Sequence, residues 1–100
     1  MNVWLVVEDF SGVMVDDILD SNEDEIIETA DELCVDVDVA DVEDMMEDLL
    51  ANGIVYQDDE NAEVFEVTRT ILCNYDYAYD FVELDCDCGC CEEYDVLKIV

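Results

Sequence analysis

The stretch VADVEDMMEDLLANGIVYQDDENAEVFEV, residues 39–67, decides the fold. Its first half carries Val42, Met45, Met46, Leu49 and Leu50 at separations of 3, 4, 7 and 8 from the first, the apolar stripe of an amphipathic helix. Asp41, Glu43, Asp44, Glu47 and Asp48 cover its outside. Asp38 is a good N-cap, and Asp41 stands where the helix macrodipole favours an acid. Asn52 and Gly53 stop the helix, because glycine takes the left-handed C-terminal conformation at least cost. The second half reads as a hairpin, with β-prone runs over 54–57 and 63–70 around the polar turn DDEN.

Upstream, NVWLVV (2–7) is a short continuous apolar run and predicts a buried strand. Ser11 can cap a short helix striped by Met14, Val15, Ile18 and Leu19. Ser21 followed by NED resembles a capping box and announces a second helix. That helix would turn Ile26, Ile27, Ala30, Leu33 and Cys34 inward and Glu25, Glu28, Asp31 and Glu32 outward. VDVDV (35–39) then reads as a turn into the third helix. Downstream, Tyr75, Tyr77, Tyr79 and Phe81 alternate with other residues at the period of a strand, and YDVLKIV (94–100) supplies a last one. Proline is absent and no linker or repeat shows. The expectation is one α+β domain over 1–100, with three short helices and an antiparallel sheet built from hairpins.

The charge is extreme. Asp and Glu number 31 against 2 basic residues and no His, a formal net charge of −29, while 53% of the chain is hydrophobic. That apolar content separates it from disordered acidic tails, so the chain should fold against its own repulsion. Binding nucleic acid through phosphates is excluded, because that affinity comes from Lys and Arg displacing counterions. An anionic membrane surface is excluded for the same reason. No apolar stretch approaches the ~20 residues of a membrane span, and MNVWLVVED lacks the basic start of an export signal. The sequence therefore predicts a soluble cytoplasmic protein, in the host cytoplasm if its source is viral. Solubility needs a net charge of only roughly 2 to 8, so this excess calls for imitation of nucleic acid, life in molar salt, or cation binding.

From about residue 13 to 71 the order of helix, helix, tight turn, helix, Gly and hairpin resembles the winged helix-turn-helix family. DEIIETADELCVDVDVADVEDMMEDLLANGIVY carries the resemblance, with Ala30 at the small position of the first helix, Leu33 in the core and Gly53 before the wing. The positions that reach DNA in that family hold Asp38, Ala40, Asp41 and Asp44 here, and the wing tip holds Asp58, Asp59 and Glu60. The resemblance thus implies the scaffold and not the DNA-binding role.

Carboxylates three or four residues apart on a helix lie ~5–6 Å apart, close to the repeat of phosphates along one strand of a duplex. Between Asp16 and Asp48, sixteen of thirty-three residues are acidic and none is basic. Ordinary solvated helix faces mix Glu with Lys, so the pattern of these acids is ordinary and their uniform sign is not. In composition the chain is similar to the acidic inhibitors, anti-restriction and anti-CRISPR proteins, that phages direct against nucleic-acid enzymes. That similarity implies a non-enzymatic competitor without a cofactor, whose partner is a basic nucleic-acid-binding protein or nuclease complex; a homodimer is compatible with it. The expected partner-binding residues are Asp24, Glu28, Asp31, Glu32, Asp38, Asp41, Asp44, Glu47, Asp48, Asp58, Asp59 and Glu60.

Two alternatives stand beside this reading. One is a halophilic winged-helix scaffold for protein contacts. The other is a metal module at CDCGCC, where Cys86, Cys88, Cys90 and Cys91 offer four thiolates within six residues. That spacing differs from zinc's separated pairs, and the neighbouring Asp85, Asp87, Glu92 and Glu93 would raise thiol pKa values and disfavour a nucleophile. DSNEDEIIE has oxygen ligands but lacks the glycine and spacing of an EF-hand loop.

Overall fold

The computed structural model describes residues 2–7, 10–83 and 95–99. In chain order the elements are β1 (Asn2–Val6), α1 (Gly12–Glu32), α2 (Val39–Asn52), β2 (Ile54–Tyr56), α3 (Ala62–Asn74), β3 (Ala78–Glu83) and β4 (Asp95–Ile99). The architecture is α+β, as its alternating periodicities predict.

Helix α2 sits at the centre and touches α1, α3, β2 and β4. Its stripe behaves as its spacing requires: Val42, Met45, Met46 and Leu49 are buried, and Leu50 is partly so. Asp38 precedes it in an extended conformation, although no side-chain bond closes that cap. Gly53 ends it at φ 74°, its N–H donating to the Leu49 carbonyl at 2.8 Å while its own carbonyl accepts from Ile99 N–H at 2.9 Å. This glycine turns the chain from the helix straight into β2 and onto the edge of β4.

The strands order β2-β4-β1-β3. β1 runs parallel to β4, with Trp4 opposite Leu97 and Val6 opposite Ile99, while the β1–β3 and β2–β4 pairs are antiparallel. The sheet is therefore mixed, not antiparallel as the sequence suggested. Alternation along the strands sends Val6, Val55 and Leu97 into the common core with the helices.

The largest departure lies in the opening stretch itself. β2 does not pair with a returning strand; residues 63–70, expected as the second arm of a hairpin, form the middle of α3. The wing of the winged-helix resemblance is accordingly not formed. Phe65, Val67, Thr68, Ile71 and Leu72 are buried, and Thr68, Ile71 and Leu72, at separations of 3, 6 and 7 from Phe65, continue one helical face that Val67 widens. The DDEN segment forms the turn that leads into this helix, closed by a reciprocal pair of side chains. Asp58 Oδ1 accepts from the N–H groups of Glu60 (2.9 Å) and Asn61 (2.8 Å), while Asn61 Oδ1 accepts from Asp58 N–H at 2.7 Å. Asn61 Nδ2 also donates to the Tyr56 carbonyl at 2.9 Å, tying the turn to β2. This reciprocal bonding has the form of a capping box, but it closes the turn before α3 and not the helix itself, whose N-cap Asn61 makes no side-chain cap bond.

A second correction concerns Ser21, which does not begin a helix: α1 runs unbroken through it. Val15, Leu19, Ile26 and Ala30 keep one phase across that point, so a single continuous helix buries them all. In that register Ile27 (48% exposed) and Leu33 (37%) face outward, as does Cys34, against the expectation that they fill the core. Helices α1 and α3 both end in paired terminal bonds. Cys34 N–H reaches Asp31 O and Val35 N–H reaches Ala30 O; Asp76 N–H reaches Cys73 O and Tyr77 N–H reaches Leu72 O. Cys34 (φ 57°) and Asp76 (φ 60°) take the left-handed place that glycine fills most cheaply.

Replacing Asp58 by Ala should cost about 1 kcal/mol of unfolding free energy, because it removes the acceptor of two backbone N–H groups in the turn before α3, whereas Asp59→Ala should cost close to nothing. Urea denaturation of the two variants checks this; equal effects would contradict the turn-closing role.

Candidate carboxylate surface

The chain contains one Arg and one Lys, and the arginine is committed inside the fold. Arg69, on α3, pairs with Glu66 Oε2 at 2.6 Å and with Asp95 Oδ2 at 3.5 Å, and its guanidinium carbon lies 5.0 Å from the Trp4 ring centroid. It thus joins α3 to β1 and β4. A cation over an indole face contributes roughly 0.5–1 kcal/mol at a partly open site. Lys98 is exposed on β4. Among the described residues, the ion pairs are those that Arg69 makes.

All of the expected contact acids, Asp24, Glu28, Asp31, Glu32, Asp38, Asp41, Asp44, Glu47, Asp48, Asp58, Asp59 and Glu60, are exposed. They fall into separate sets. Asp24, Glu28, Asp31 and Glu32 follow one side of α1, Glu28 lying four residues after Asp24 and three and four before the adjacent Asp31 and Glu32. Asp41, Asp44 and Asp48 do the same on α2. There they meet Glu60 around an open cleft of about 330 Å³ whose remaining lining is Met45, Val55, Asn61 and Val64. Glu47, also on α2, does not line this cleft, and Asp59 stands in the exposed turn before α3. Asp58 differs from the rest, because its carboxylate is already engaged by two backbone N–H groups.

The cleft was not visible in the sequence. Its far wall, Asn61 and Val64, belongs to the start of α3, and a hairpin reading places those residues on a projecting wing. The usable signal was the helical spacing of Val64, Val67, Thr68 and Ile71, masked by the β-preference of the same residue types.

Acids stand where a helix does not want them. The last turn of α1 carries Asp31 and Glu32 and no basic residue, so its carboxylates face the negative end of the macrodipole. Glu25, on the same helix, accepts a 2.7 Å hydrogen bond from the Tyr75 hydroxyl, which anchors α1 to the turn after α3. Burial, then that hydrogen bond, then the charges of Glu25 and Asp17 push the Tyr75 phenol up to about 12. Tyr75 stacks near Tyr77, and Tyr77 meets Phe10, so these aromatics pack on the core.

Two cysteines fall within the described residues and both are free thiols: Cys34, exposed, and Cys73, half-buried. Burial pushes the Cys73 thiol up, and the nearby Arg69 charge opposes this in part. Among the described residues no three His, Cys, Asp or Glu side chains are placed to hold a metal ion. Cys86, Cys88, Cys90 and Cys91, with the acids around them, lie outside the described residues. No described helix is long and apolar enough to cross a membrane. Comparison with protein-family models, with curated proteins and with solved structures finds no match to this chain.

Glu32→Lys should raise stability by roughly 0.3–1 kcal/mol, since it puts a cation at the C-terminal end of α1; an unchanged or lower denaturation midpoint in low salt would count against the unfavourable placement. Alkaline titration followed by phenolate absorbance should show one tyrosine ionising near pH 12, absent in Tyr75→Phe. Because the folded phenol binds its proton more tightly than the unfolded one, the stability it contributes is whole below about pH 10 and is lost as pH rises toward 12. Tyr75→Phe should flatten that decline.

Proposed function

We propose that this protein is a non-enzymatic inhibitor that presents the charge of a nucleic acid to a basic nucleic-acid-binding protein, such as a CRISPR effector or a restriction enzyme, and competes with its substrate. The observation that carries the reading is the fate of the charges: twelve acids marked by sequence are all exposed, while the single arginine is held at the seam between α3 and the sheet. The outside of the helical layer therefore offers carboxylates without intramolecular cations to neutralise them. Rows spaced ~5–6 Å along α1 and α2 match the periodicity to which a Lys- and Arg-lined channel is adapted. The cleft adds a place where four carboxylates surround an apolar floor of Met45, Val55 and Val64, which suits the methylene stem and charged head of a Lys or Arg side chain.

Acids at the wrong end of α1 support the same reading. A chain selected for stability alone would alternate signs on these faces and gain a few tenths of a kcal/mol from each i, i+4 pair. Electrostatic steering between such a surface and a basic groove makes association fast and strongly dependent on salt. The inhibitor and target would meet as protein and protein, without nucleic acid or membrane in the contact.

The test is inhibition of a panel of CRISPR nucleases and restriction enzymes, with substrate concentration and salt varied. Inhibition should weaken as nucleic acid is raised and fall steeply between ~0.05 and ~0.2 M salt. The triple replacement of Asp41, Asp44 and Asp48 by Lys should weaken it at least tenfold while the circular dichroism spectrum is retained. Inhibition no stronger than that of polyglutamate of equal charge, or undiminished in the triple variant, would overturn the proposal.

A further inference from the structure

We draw no further inference here: the strongest candidate, the cleft that Asp41, Asp44, Asp48 and Glu60 rim between α2, β2 and the start of α3, belongs to the carboxylate surface already assigned to the partner and is an acidic cluster with no second feature that points to a ligand of its own.

Discussion

Repulsion among 31 acidic side chains, set against 2 basic ones, is the constraint to which the rest of this fold answers. A buried carboxylate needs a cation or several hydrogen-bond donors, and this chain has almost no cations to give. The core is accordingly apolar throughout, with Thr29 and Thr68 the buried polar residues among those described. Stability must come from that core: Val6, Ile26, Met46, Leu49, Phe65, Ile71, Leu72 and Leu97 are fully buried, each side chain contributing roughly 1.5–3 kcal/mol relative to exposure. Arg69 occupies a seam where charge does enter the structure, pairing with Asp95 and covering Trp4.

The same constraint separates architecture from surface. Amphipathic α1 and α2 need only their inner stripes to fold, so their outer residues are free to answer to something else. On α1 those residues include acids at a helix end that disfavours them, and on α2 they converge with Glu60 on a cleft. A surface that works against the stability of its own helices is accounted for when a basic partner supplies the missing cations. That is the link from packing to the proposed inhibition: the core tolerates the repulsion, and a basic partner of the proposed kind would relieve it.

Much of this was legible in the chain. The stripe of α2, its stop at Gly53, the first strand and the terminal strand followed from spacing and from glycine's conformational freedom. Two errors have physical causes. Ser21 imitates a helix start, but a cap signal yields when the apolar phase runs on through it, as it does from Val15 to Ala30. Residues 63–70 are rich in Val, Phe and Thr, whose strand preference reflects packing and not an intrinsic backbone bias. Their period, and the Asp58–Asn61 box before them, were the better guide. The exposed acids were readable one by one, because a carboxylate without a partner stays in water. Their convergence was not, since the cleft depends on α3 folding back against α2. The parallel β1–β4 pairing likewise joins the two ends of the described chain, and no local pattern encodes it.

Carboxyl labelling by a carbodiimide, read residue by residue with and without a bound basic nuclease, tests the central claim most directly. The account predicts that the complex protects Asp41, Asp44, Asp48 and Glu60 together with the Asp24, Glu28, Asp31 and Glu32 row, and that nucleic acid restores their reactivity by displacing the protein. Labelling of these acids unchanged in a stable complex would contradict it, for the partner would then be held by some other face.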